Sequence, residues 1–144
     1  MIEREQSSQF QQMETMAPRL RQAFCSLTGA HAVFQEMGAL RAISVPDQFD
    51  DDSIEATFNG VRIKFQMLPI CGADRRPRAR VVCMYCHCTY GEPAQVLLGA
   101  FTFGPDGMTD LDPDVEGNFP RMDADAPAIV LRYLEAAIDA NRTL

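Results

Sequence analysis

Lysine is nearly absent from this chain of 144 residues, since Lys64 is the single example and nearly all the other basic side chains are arginines. A phosphate-binding loop ends in Gly-Lys-Ser/Thr, and Lys64 lies in Arg-Ile-Lys-Phe with no glycine run before it. A Schiff-base lysine could only be Lys64, and its alternating segment is expected to point it to water. Lysine-based catalysis is therefore disfavoured.

Long apolar runs are also absent, and none approaches the roughly 20 residues that span a bilayer. The charged start, Met1-Ile-Glu-Arg-Glu-Gln, lacks the apolar segment of a secretory signal. The net charge of −7 repels phosphate backbones, so we expect no nucleic-acid partner. Five cysteines, an odd number, disfavour a closed disulfide framework. These features predict a cytoplasmic protein with reduced thiols and no membrane partner.

The first 40 residues have apolar side chains at helical spacing. The stripe consists of Phe10, Met13, Ala17, Leu20, Phe24 and Leu27, and His31 and Phe34 continue it. Pro18 interrupts the pattern, which predicts either a kink or a new helix beginning there. Packing of the stripe on the domain's own sheet is favoured over a helix-mediated dimer.

From Ser53 the apolar period changes to two, which is typical of strands with one wet face. Asn59-Gly60 predicts a tight hairpin between strands over residues 53–58 and 61–67, because both positions tolerate positive φ. After a loop over residues 69–78, strands are predicted over residues 81–90 and 95–103, with a short one over 108–111. The strands over 81–90 and 95–103 are apolar on both sides, so we expect two covering layers.

The chain is therefore predicted to be a single α+β domain over residues 1–144. A helical segment over residues 1–40 precedes an antiparallel β-meander of four to five strands over 53–111. A C-terminal helix over 126–141 packs on the sheet, with an apolar stripe that includes Val130, Tyr133 and Ile138.

Three cysteines lie within Val-Val-Cys-Met-Tyr-Cys-His-Cys-Thr-Tyr, and they offer the main candidate for chemistry. Zinc could bind through Cys83, Cys86 and Cys88, but structural zinc sites normally use two ligand pairs and the second pair is missing. In a regular strand Cys83 and Cys86 also point to opposite faces. A buried strand with reduced, metal-free thiols is favoured over zinc and over redox chemistry.

Two charged clusters are candidate binding sites. Arg75, Arg76, Arg78 and Arg80 form a basic group in an acidic protein, expected either as a solvated hairpin tip or as a partner-binding site, since guanidinium groups bind carboxylate and phosphate bidentately. Asp110, Asp112 and Asp114 alternate as in a calcium loop, but Val115 replaces the required glycine and Arg121 the glutamate. A looser cation site or a solvated acidic loop remains.

No nucleophile elbow, zinc-protease helix or dinucleotide turn appears, and His87 faces away from both neighbouring cysteines in a strand. The favoured function is a non-catalytic protein-interaction module without a cofactor, with a protein partner and a homodimer expected. The helix–meander–helix layout is similar to bacterial secretion chaperones and to small immunity or inhibitor proteins, which implies a chaperone-, immunity- or adaptor-like role. The alternatives are a small-ligand-binding domain or small enzyme with a pocket between sheet and helices, and a zinc-dependent module.

Overall fold

Helical and alternating periods give helices and strands in the expected order, and the computed structural model shows an α+β fold. It describes residues 3–46, 52–112 and 118–141. The elements are α1 (Arg4–Cys25), α2 (Ala30–Glu36), β1 (Ile43–Ser44), β2 (Ser53–Phe58), β3 (Val61–Cys71), β4 (Pro77–Thr89), β5 (Glu92–Phe103) and α3 (Ala126–Asn141). The strands form one antiparallel sheet in the order β1-β2-β3-β4-β5.

α1 continues through Pro18, so the alternative of a new helix beginning at that residue is wrong. Proline removes one helical hydrogen bond, but packing further along holds the helix, because Leu20 and Phe24 are buried. The half of α1 before Pro18 contributes little to the core, since Phe10 is 73% exposed. That half lies near the end of β3, where the Gln9 amide donates to Cys71 Sγ over 2.8 Å.

Two tight turns join the central strands. Asn59 and Gly60 have φ of 46° and 88°, which confirms the predicted hairpin between β2 and β3. Tyr90 and Gly91 have φ of 53° and 80° and connect β4 to β5 in the same way. Strand β5 therefore begins at Glu92, earlier than the sequence predicted, because the second turn lacks the usual Asn or Asp before its glycine.

The β3–β4 connection is shorter than expected, since pairing extends to Cys71 and Pro77 and leaves a turn of residues 72–76. Strand β1 was not predicted, and it pairs only two residues with β2. The short strand expected over residues 108–111 is wrong. In its place are two isolated bridges, which join Thr109 to Phe103 and Met108 to Arg121.

All the described helices pack on one face of the sheet, which we call the inner face. Phe24 from α1 and Tyr133 from α3 belong to the same buried cluster as the strand residues. From the strands this cluster takes Ile43, Ile54, Ala56, Ile63, Phe65, Met67, Ala79, Val81, Cys83, Tyr85, Phe101 and Phe103. Among the described residues the chain itself therefore covers the central strands on one side only, because both helical layers share that side.

Candidate functional site

The opposite face of the sheet, which we call the outer face, is covered by no described element. Alternation along the strands, broken once in β5 at Leu98, places there the side chains between the buried ones. From β3, β4 and β5 these are Arg62, Lys64, Gln66, Leu68, Ile70, Arg78, Arg80, Val82, Met84, Cys86, Leu97, Ala100 and Thr102.

Strand register gathers apolar side chains at the centre of the outer face. Met84 lies opposite Leu97, and Val82 lies opposite Ala100. We call these four residues the apolar patch. Leu97 is 66% exposed, so the patch is open to solvent at the β5 side. Exposed apolar clusters bordered by polar groups mark interaction sites more often than isolated apolar residues do.

Cations border the apolar patch on its β3 side and along β4. Lys64 is the β3 neighbour of Met84, and Arg62 is the β3 neighbour of Cys86. Arg78 and Arg80 lie further along β4 on the same face, and we call these four cations the basic rim. Glu55, opposite Lys64 on β2, adds one carboxylate. The outer face is thus locally positive, whereas the whole chain has a net charge of −7.

One member of the basic rim is held by a hydrogen-bond chain. Arg78 donates from Nε and Nη2 to the Thr102 hydroxyl, over 3.3 and 3.1 Å. That hydroxyl donates in turn to Asp110 Oδ2 over 2.9 Å, and Asp110 Oδ1 accepts the Thr102 amide over 2.7 Å. The threonine therefore relays an ionic attraction between the guanidinium and the carboxylate, which fixes Arg78 against β5.

The four arginines singled out in the sequence are divided between two places. Arg75 and Arg76 lie in the turn of residues 72–76 with side chains more than four-fifths exposed. Their ion pairs, with Glu5 at 4.0 Å and Asp74 at 3.9 Å, are long and solvated, so they contribute little. Arg80 is an exposed member of the basic rim. The structure thus separates the solvated turn from the arginines of the sheet.

The acidic residues of the candidate cation site do not converge in the part of the chain that the structure describes. Asp110 uses both carboxylate oxygens on Thr102, and the Asp112 carbonyl accepts from Arg132 over 3.2 Å. Asp114 lies outside the described residues. Within the described ranges no group of three histidine, cysteine or acidic side chains could hold a metal ion.

The three cysteines of β4 are divided between the two faces. Cys83 is buried in the core, Cys86 is half-buried on the outer face, and Cys88 is exposed. The expectation that all three thiols are buried is therefore wrong for Cys86 and Cys88, because the outer face has no cover. Burial raises the pKa of the Cys83 thiol far above its usual value, and the nearby Cys86 adds to the shift. Its nucleophilic thiolate is accordingly suppressed.

A cleft of about 760 Å³ lies between the second half of α1 and the turns that follow β3 and β5. Its charged lining is balanced, with three arginines and three aspartates: Arg19, Arg76, Arg78, Asp74, Asp106 and Asp123. The Ala124 amide and Arg121 hold the pKa of the Asp123 carboxyl below its usual range. This is the feature closest to the pocket expected for a small ligand, although it lies beside the sheet and not beneath the helices.

The histidine of the apolar stripe, His31, has a structural role. Its Nδ1 accepts the backbone amide of Val45 over 3.0 Å and so holds the chain after β1 against α2.

Sequence reasoning missed the outer face as a site, although it placed Lys64 on a strand face that points to water. The apolar patch could not be seen, because Met84 and Leu97 meet only through the β4–β5 register. That register includes a shift at Cys83 and Met84, which no local signal predicts.

Comparison with protein-family models, with curated proteins and with solved structures finds no match. Among the described residues, no helix has the length and apolar character needed to cross a membrane.

Proposed function

We propose that this chain is a non-catalytic protein-interaction module that binds its partner on the outer face of the sheet. The observation that carries the proposal is the apolar patch beside the basic rim, on a face that no described element covers. An apolar centre with a polar margin is the usual composition of a protein interface. The proposed setting is the cytoplasm, where an exposed thiol such as that of Cys88 stays reduced.

The proposed partner presents acidic side chains around apolar ones. Four cations on the outer face, against the carboxylates of Glu55 and Asp110, attract acidic groups, while the net charge of −7 on the whole chain repels them elsewhere. This contrast orients an acidic partner during approach and favours the outer face over every other surface. Arg80 is exposed and can offer its guanidinium to a carboxylate bidentately.

The chemistry of the described residues supports a non-catalytic role. Cys83 is buried, and its raised pKa disfavours the thiolate. The Nδ1 atom of His31 already accepts a hydrogen bond from the Val45 amide. A nucleophile needs an adjacent base in hydrogen-bond reach, and neither residue offers that arrangement to solvent.

Affinity capture with matched charge variants tests the proposal. The immobilised wild type is compared with Arg62→Glu/Arg80→Glu on the outer face and with Arg4→Glu/Arg21→Glu on α1, all at exposed positions. Both double variants change the net charge equally. We expect an acidic protein that the wild type and the α1 variant retain and that the outer-face variant loses at least about tenfold.

Hydrogen exchange on the isolated complex supplies a second measurement. Protection should appear in β3, β4 and β5 and weaken as ionic strength rises, because exposed charge attraction is screened. The proposal is overturned if the wild type and both double variants retain the same partner proteins, or if the protected amides lie on the helices.

A further inference from the structure

Strand β5 is the last strand of the sheet, and its free edge is capped only at one end within the described residues. There the Asp110 amide donates to the Thr102 carbonyl over 3.0 Å, and the Asp110 carboxylate accepts the Thr102 amide. Backbone groups of a strand alternate between its two edges, so Ala100 presents its N–H and C=O on the same side as Thr102. Over residues 93–100 no described strand pairs with that side.

The open edge also lacks the charged side chains that oppose pairing at most strand edges. No charged residue occurs from Pro93 to Phe103. Natural edge strands are normally blunted by lysine or other charges, by bulges or by proline. Here Pro93 protects the start, and one bulge, with Leu98 as the extra residue of β5 opposite Cys83 and Met84, interrupts the strand at a single point.

The side chains along this edge are apolar and exposed on both faces. Leu97 on the outer face is 66% exposed, and Val96 on the inner face is 40% exposed. A long, uncharged and apolar edge of this kind is a template for another strand. The eight residues 93–100 span about 27 Å, longer than a typical strand of five or six residues.

We propose that β5 pairs edge to edge and antiparallel with β5 of a second copy across a two-fold axis. An edge is complementary to itself in this arrangement, because rotation by 180° brings each strand's outward donors and acceptors opposite those of its copy. The result is one ten-stranded sheet whose two outer faces lie on the same side.

Charge favours this route over the other ways of joining two copies. Stacking two outer faces would oppose one basic rim to another, which is repulsive, whereas the edge itself carries no charge. The dimer through the α1 stripe, considered from the sequence, loses most of its surface, because Leu20, Phe24 and Leu27 are buried in the chain's own core. The proposal is independent of the partner proposed for the outer face.

Sedimentation equilibrium from about 1 to 100 µM tests the pairing. We expect the wild type to reach a mass twice its 16.0 kDa. Leu97→Lys should raise the dimer dissociation constant at least about tenfold, because it sets like charges across the axis. Leu97→Glu should act alike, and an equal mixture of the two variants should restore the dimer.

Leu68→Lys is the matched control, since Leu68 is 46% exposed on the same face but lies on the interior strand β3. It should leave the dimer unchanged, and circular dichroism should show that every variant is folded. In the wild type, amides over residues 93–100 should become protected from hydrogen exchange as concentration rises. A wild type that stays monomeric, a dimer that Leu97→Lys leaves intact, or an edge protected only by a foreign protein would each overturn the proposal.

Discussion

Cys83 shows at the residue scale how one position on a strand decides the chemistry of a thiol. It is fully buried between β3 and β5, whereas Cys88, five residues along the same strand, is exposed. Because a thiolate cannot be solvated in the core, burial raises the pKa of Cys83, as it raises the pKa of Tyr133 to about 12. Both groups are therefore neutral in the folded protein over a pH range in which the unfolded chain loses their protons.

The free energy of unfolding should consequently fall as pH rises above about 9, the usual value for a thiol. The unfolded chain releases the Cys83 proton there and the folded chain keeps it, which lowers stability by up to about 1.4 kcal/mol per pH unit. Tyr133 adds its own loss between about 10 and 12. Urea unfolding between pH 7 and 10.5 measures this decline.

Cys83→Ala should lower stability at pH 7 through the cavity that it leaves, yet flatten the decline above pH 9. Cys88→Ala is the control and should keep the wild-type slope. Parallel slopes in all three proteins would contradict a protonated, buried Cys83.

Arg78 also differs from its neighbours Arg75 and Arg76. Of these three arginines, Arg78 is the one whose guanidinium donates hydrogen bonds to the sheet. We expect Arg78→Ser to lower the free energy of unfolding by about 1–2 kcal/mol, since it also leaves Asp110 without its relayed cation. The double variant Arg75→Ser/Arg76→Ser should stay within about 0.5 kcal/mol of the wild type. Chemical denaturation compares the three, and equal effects would show that the turn is structural.

At the element scale, the turns show what local sequence could and could not predict. Asn59-Gly60 was predicted because both residues adopt positive φ readily, and the structure confirms it. Tyr90-Gly91 has the same geometry but was missed, since tyrosine at a φ of 53° is uncommon and carries no turn signal. The first residue of β5 was therefore placed too late.

Tyr90→Asn should stabilise the protein by about 0.5–1 kcal/mol, because asparagine tolerates the left-handed conformation better than tyrosine. Little packing is lost, since Tyr90 is fully exposed to solvent. The converse change, Asn59→Tyr, should destabilise the protein by a similar amount. Thermal unfolding measures both, and a lower midpoint for Tyr90→Asn would show that the exposed ring has another role.

For the helices, the sequence predicted which side of α1 enters the core but not which face of the sheet each helix covers. The spacing of Leu20, Phe24 and Leu27 correctly located the helical face that enters the core. It could not show that α1 and α3 share one side of the sheet, because that depends on the path of the loops between elements. The outer face therefore became visible as a site only in the folded molecule.

For the whole molecule, the buried residues of α1, the sheet and α3 form one cluster. We expect equilibrium unfolding to be a single transition, because no element has a separate core to retain. Far-ultraviolet circular dichroism, which follows the helices, and near-ultraviolet signals of Tyr85 and Tyr133, which follow the core, should give the same midpoint. Two separated midpoints would divide the chain into two cooperative units.

Because α3 follows the strands in the sequence, the ribosome completes the sheet before it completes the helix that covers part of it. Every strand pairs with its neighbour in sequence, so the meander can form as it emerges, without long loops to close. Its inner face, however, needs α3, which ends about 38 residues after Phe103. At ordinary translation rates these residues take roughly 2–8 s to make. During that interval Phe101 and Phe103 lack part of their cover, and the nascent sheet is open to other chains until its last helix arrives.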